Sequence, residues 1–258
     1  MDQIKLILGD CLEEMQQIPD NSIDMILCDL PYGTTACKWD AVIPFNLLWQ
    51  QYNRIIKMGC AIVLTSTQPF TSALVMSNPE WFKYSWFWKK SKASNFLHAP
   101  NMPLKIIEEI LIFSNGSVGH ACQLGDRRCA YNPQGIRQGT TFVKQNKNTS
   151  DLKIHRDSRA EYSTGYTCKS EGYPTTLLEF KSETGIHPTQ KPVSLFEYLI
   201  NTYSNIGDTV LDNCMGSGTT GIACLNTKRN FIGIEKDEKY FSLCESRIYN
   251  HTIPLFII

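Results

Sequence analysis

Apolar positions recur along the first 113 residues in short runs, and the runs alternate between two periods. Ile4–Leu8 is a brief apolar stretch that stops at Gly9-Asp10, the signature of a buried strand. Leu12, Met15 and Ile18 follow at helical spacing. A second strand is predicted over 22–28, ending at Asp29, and a helix over 45–56, broken by Gly59. Residues 61–64 read as a third strand and 71–76 as another helix. Residues 84–88 and 109–113 read as two further strands. Strands separated by helices imply parallel pairing in a doubly wound sheet.

The pattern stops at Ser114. From there to Glu183 the chain is rich in Gly, Asn, Ser and Thr, with scattered Arg and Lys and little periodicity. This predicts an inserted, loop-rich lobe over 114–183 between two halves of one domain, 1–113 and 184–258. Order returns with a helix over Val193–Tyr203, which Pro192 precedes, a favoured place for proline. A strand over 208–212, a helix from Thr219, a strand over Asn230–Glu235 and a helix over 238–248 complete the chain. The prediction is α/β, doubly wound and seven-stranded, with five strands before the lobe and two after it.

Composition changes this picture little. The 258 residues are 42% hydrophobic and 19% charged, enough for one sizeable core. Lys+Arg and Asp+Glu number 25 each. No apolar run approaches the roughly 18 residues needed to span a bilayer. The start lacks a basic region followed by an apolar stretch, so no leader and no membrane partner are expected. The ten cysteines contain no Cys-x-x-Cys pair and read as reduced thiols of a cytoplasmic protein. His120, Cys122, Cys129 and Cys168 match no standard zinc spacing, so no metal is expected.

Two segments carry chemistry. Residues 210–221 run Val-Leu-Asp-Asn-Cys-Met-Gly-Ser-Gly-Thr-Thr-Gly, a strand, a glycine turn and a helix start. Such a turn lets a ligand approach the backbone, and an acid ending the next strand, here Glu235, suits the hydroxyls of a ribose. A dinucleotide or S-adenosylmethionine would fit, as would a plain packing turn. Only 23 residues follow Glu235, too few for the strands that complete a dinucleotide domain. The second segment is Asp29-Leu30-Pro31-Tyr32, just past a buried strand, where α/β sheets place their sites. It suits methylation of an exocyclic amine on a base. Asp29 and the Leu30 carbonyl would accept the amine hydrogens and localise its lone pair. Proline after Leu30 holds that carbonyl extended. Tyr32 offers a stacking face, and the base must be flipped to arrive there. A strand-closing turn is the bland alternative.

Four blocks in this order, Gly9-Asp10-Cys11, Asp29 to Tyr32, His187 to Pro192 and Asp212 to Glu235, resemble the amino-group DNA methyltransferases of the permuted β-type arrangement. The resemblance covers all but the inserted lobe. It implies the S-adenosylmethionine-dependent methyltransferase fold, a seven-stranded sheet with one antiparallel strand near an edge and the two late strands inserted beside the early ones. It also implies that Asp10 and Cys11 hold the cofactor adenine and Glu235 its ribose. His187, Lys191, Asp212, Cys214, Gly216, Ser217, Gly218, Thr219 and Thr220 would surround the methionine end. Asp29 would stand between cofactor and base, with Leu30, Pro31 and Tyr32 at the base. Leucine stands at position 30 where the family usually has proline; the working group there is a carbonyl, so the change is tolerable.

An initial Asp is more typical of adenine N6, so the expected function is site-specific methylation of that amine in duplex DNA. N4-cytosine is the nearest alternative. A nicotinamide oxidoreductase and a non-catalytic DNA-binding module are distant ones. Cytosine C5 chemistry needs a cysteine nucleophile, usually after proline, and no proline here precedes cysteine. Residues 126–159 hold eight Lys or Arg against three Asp, a local +5 suited to phosphate contact. DNA contacts are expected at Arg127, Arg128 and Arg137, and at Lys38 and Trp39 beyond the catalytic loop. The resemblance places the enzyme in the cytoplasm of a bacterial or phage-infected cell, in a restriction-modification system or as an orphan methylase. Such enzymes often dimerise.

Overall fold

The computed structural model describes residues 4–33, 40–119, 127–138, 142–143, 166–167, 170–183 and 190–252. In chain order the elements are β1 (Ile4–Leu8), α1 (Cys11–Glu14), β2 (Ile23–Cys28), α2 (Phe45–Ile55), β3 (Ile56–Ser66), α3 (Phe70–Ser77), β4 (Phe82–Ser94) and β5 (Lys105–Ser114). Then come β6 (Arg137–Gln138), β7 (Phe142–Val143), β8 (Tyr166–Thr167), β9 (Ser170–Glu171) and β10 (Leu177–Glu179). The last are α4 (Val193–Tyr203), β11 (Thr209–Asp212), α5 (Thr219–Thr227), β12 (Asn230–Glu235) and α6 (Glu238–Thr252).

One sheet runs β1-β12-β11-β2-β3-β5-β4-β10. The late strands β11 and β12 lie between β1 and β2, as the resemblance implies. β5 is antiparallel to both β3 and β4, and the other pairings are parallel. The sheet has eight strands rather than seven. The extra strand, β10, has three residues of which only Leu178 is buried. It takes its place through backbone pairing with β4 and a bond from Trp88 Nε1 to the Phe180 carbonyl (3.1 Å). Three residues are too few to show a period, so the sequence pattern misses it.

Alternate residues on each central strand enter opposite cores. Met25, Leu27, Ala61 and Val63 pack under α4, α5 and α6, whereas Ile26, Cys28, Ile62 and Leu64 pack against α1, α2 and α3. Burial on both faces is what makes these strands read as continuous apolar runs. Gly59 does not end the segment: at φ +75 it bends β3, which runs from Ile56 to Ser66. Buried hydroxyls tie layers together. Tyr52 donates to Asn213 Oδ1 (2.6 Å), linking α2 to the end of β11, and Trp86 Nε1 donates to the Tyr203 hydroxyl (2.5 Å).

The chain divides into two compact units, 1–132 with 176–258, and 133–175. The second is narrower than the expected lobe of 114–183, since residues 114–132 and 176–183 belong to the sheet unit. Within it, β6 pairs antiparallel with β9, and β7 with β8. No described helix is long and apolar enough to cross a membrane.

Candidate active site

The carboxyl ends of β1, β2, β11 and β12 open onto one cavity of about 320 Å³, within the range of small-molecule sites. Its lining brings together Asp10, Cys11, Asp29, Leu30, Pro31, Tyr32, Lys191, Asp212, Cys214, Gly216, Ser217, Thr219, Thr220 and Glu235. Early and late blocks of the chain meet here because β11 pairs directly with β2, at the point where connections leave the sheet in opposite directions.

The glycine turn is built by its neighbours. Glu235 accepts the Gly216 N–H on Oε2 (2.9 Å) and the Asp237 N–H on Oε1 (2.9 Å), and its own carbonyl accepts the Gly9 N–H (2.9 Å). Gly216 has φ +50 and nothing within 4 Å of an added Cβ, so the turn faces open space. Gly218, at φ +78, has no such room, because a Cβ would meet Cys244 Sγ. It does not line the cavity. Arg247, which no motif signals, braces the turn through the Ser217 carbonyl (3.0 Å) and Thr219 Oγ1 (3.2 Å). Asp10 caps α1, its Oδ1 accepting the Leu12 N–H (2.9 Å), as short polar residues do at helix starts. Asp212 is buried, accepting the Cys214 N–H (3.1 Å) and the Thr220 hydroxyl. Burial pushes its carboxyl up to about 7 despite those bonds.

The other end of the cavity is a charge cluster around Asp29. Its Oδ1 accepts the Tyr32 hydroxyl (2.6 Å) and the Thr65 hydroxyl, and its Oδ2 lies 2.7 Å from Lys191 Nζ. Lys191 is only 6% exposed. Burial acts to lower its pKa, but Asp29, Tyr32 and Glu108 outweigh it and keep the ammonium charged, well above its ordinary range. Glu108 Oε2 stands 3.4 Å from Lys191, and Glu108 Oε1 accepts from Lys90 (3.1 Å). The result is an alternating chain, Lys90–Glu108–Lys191–Asp29. Lys191 therefore sits on the carboxylate of Asp29, although the resemblance implies a place at the methionine end of a cofactor. Burial first, then the neighbouring Asp29, holds the Tyr32 phenol neutral. Burial also pushes the Cys28 thiol up to about 12, so it offers no thiolate.

Thr65, Glu108 and Arg247 escape sequence reasoning. Glu108 leaves a faint trace as a charge inside the apolar run of β5. Thr65 and Arg247 leave none. His187, Lys38 and Trp39 lie outside the described residues, as do His120, Cys122 and Cys168 of the rejected zinc set. Arg127 and Arg128 are exposed but do not join the cavity. Their loop pairs with Ser117 and, through Ala130, with Gly59 near the start of β3, the end of the sheet away from the carboxyl ends. Proximity in sequence to the lobe does not bring them to the site. Arg137 is exposed on β6 of the smaller unit.

A family model described as DNA methylase matches residues 23–246. The type II methyltransferase M.HinfI of Haemophilus influenzae is 27% identical over 94% of this chain and 67% of its own length. The DNA adenine methyltransferase YhdJ of Escherichia coli is 26% identical over 92% of this chain and 80% of its own. Among solved structures, the M1.HpyAVI–SAM complex superposes with a TM-score of 0.61 at 21% identity, covering 95% of this chain and 98% of that one. PvuII DNA methyltransferase, named as cytosine-N4-specific, gives 0.67 at 14% identity over 98% and 89%. At such identities these two likenesses speak for the fold alone.

Proposed function

The chain belongs to the DNA methylase family whose model spans residues 23–246, and from that premise we propose that it transfers a methyl group from S-adenosylmethionine to the N6 amine of adenine in duplex DNA. The observation that carries the reading is the meeting of Asp29, Leu30 and Tyr32 with Asp10, Glu235 and the glycine turn in one cavity. The resemblance to a relative named as an adenine methyltransferase supports adenine. The bacterial relatives support a bacterial cytoplasm as its setting.

The cavity suits the cofactor. Gly216 leaves open space where a side chain would intrude, and acids stand at both strand ends that would meet adenine and ribose, Asp10 and Glu235. When bound, S-adenosylmethionine supplies an electrophilic methyl on a sulfonium. An exocyclic amine is a poor nucleophile because its lone pair is delocalised into the ring. Asp29 and the Leu30 carbonyl accept its two hydrogens and draw the nitrogen toward tetrahedral geometry. Tyr32 covers the ring. Lys191, 2.7 Å from Asp29 Oδ2, fixes the carboxylate in place for the base. Methylation would leave the amine with one proton in excess, which Asp29, as acceptor of that hydrogen, would take and pass to water. No protein nucleophile takes part.

The test is incubation with labelled cofactor and unmethylated DNA, followed by nucleoside separation. Label is expected in N6-methyladenine. Label in N4-methylcytosine overturns the adenine assignment, and unlabelled DNA overturns the activity.

A further inference from the structure

The hairpin of β4 and β5 concentrates positive charge. From residue 81 to residue 107 the chain carries Lys83, Lys89, Lys90, Lys92 and Lys105 and no acid, in a protein of zero formal net charge. Lys89 pairs with Glu179 (2.9 Å) and Lys90 with Glu108 (3.1 Å). Lys92 and Lys105 are exposed, and among the described residues their ammonium groups make no hydrogen bond or ion pair. At the hairpin's tip a left-handed Asn95 opens a single 3-10 turn that presents Phe96 at 65% and Leu97 at 93% exposure. The same hairpin forms one wall of the cavity through Lys90, Ser94, Lys105 and Ile107. Leu97 is three residues past Ser94, a reach of about 10 Å at most. A cationic arm with an apolar tip thus stands on the rim of the pocket that holds Asp29.

Resting on the DNA methylation reading above, we propose that this hairpin docks on the duplex beside the flipped nucleotide, with Lys92 and Lys105 on phosphates and Leu97, backed by Phe96, entering the stack where the base has left. The chemistry of both parts fits a nucleic acid. Phosphates reward unpaired ammonium groups by releasing counterions. A vacated stack exposes base faces, and apolar side chains inserted between base steps cover them. A second copy of the same chain is a poorer occupant, since like charge would face like charge. The hairpin also supplies the contact that Arg127 and Arg128, at the other end of the sheet, cannot make at this cavity.

The experiment uses the full chain and an unmethylated random-sequence duplex, with binding followed by fluorescence anisotropy from about 50 to about 200 mM salt. The double variant Lys92→Gln/Lys105→Gln is expected to lower the slope of log affinity against log salt by about two. Leu97→Ala is expected to keep that slope and the cofactor affinity while lowering kcat on duplex genomic DNA about tenfold or more, with Leu97→Met restoring most of it. An unchanged salt slope in the lysine variant, or an unchanged kcat in Leu97→Ala, overturns the proposal. So does a dimer that Leu97→Ala dissociates, which would give the tip to a second copy. Failure of the unsubstituted chain to transfer methyl, with a salt slope the lysine variant still lowers, would instead remove the activity and leave the docking surface standing.

Discussion

Asp29 carries three donors on two oxygens, from Tyr32, Thr65 and Lys191; nothing in the sequence announces Thr65, and the resemblance points Lys191 to the methionine end instead. Its place after a buried strand was legible, because the apolar run of β2 stops at Asp29 and α/β sheets place their sites past strand ends. Its partners come from β3 and from the segment before α4, more than thirty and more than one hundred and sixty positions away. Under the proposed function the carboxylate accepts from the amine, so Asp29→Ala should lower kcat by about 10²–10³-fold. Calorimetric titration should still give wild-type cofactor affinity. Asp212 has a different signature. The folded chain keeps its proton up to about pH 7, against an ordinary 3.8. Between those values the native state binds more protons than the unfolded one, so stability falls as pH rises through that window. Asp212→Asn should flatten this decline, as read by urea unfolding at a series of pH values, since an amide has no proton to lose.

At the scale of elements, the two glycines of the turn do different jobs that the motif alone does not separate. Both have positive φ, but Gly218 abuts Cys244 on α6 whereas Gly216 borders open space. Gly218→Ala combines left-handed strain with overpacking and should cost about 2–4 kcal/mol in chemical denaturation. Gly216→Ala should cost about 1 kcal/mol of stability, yet weaken cofactor binding about tenfold by putting a methyl on the cavity side. Helices and central strands were readable from periodicity because both faces of the sheet are buried. The strand β10 and the full lengths of β4 and β5 were not. Their outer residues, such as Lys92 and Ile107, are exposed, so pairing and not burial holds them.

The whole molecule is a sheet unit interrupted by a second unit at residues 133–175. Within that second unit the strands near its two ends pair with each other, Arg137 opposite Glu171 and Gln138 opposite Ser170. Joining Gln138 to Ser170 through a two-residue turn should therefore leave a folded chain. That variant should bind cofactor with unchanged affinity in calorimetry while transfer to duplex DNA is lost. Charge is distributed at this scale too, and the zero total hides both a basic stretch over 126–159 and a basic hairpin. What the sequence determined by itself is local: strand and helix periods, the glycine turn, and the acids placed at strand ends. The blocks that carry the family resemblance are local as well, since each is a few contiguous residues with its own backbone demand. What the tertiary structure decided is adjacency. The insertion of β11 beside β2 brings Gly216 and Asp29 to one cavity, while the fold sets Lys191 between Asp29 and Glu108 and leaves Arg127 and Arg128 at the far end of the sheet. Strand order is set by packing of both cores at once, a free energy summed over residues distant in sequence, and no single segment encodes it.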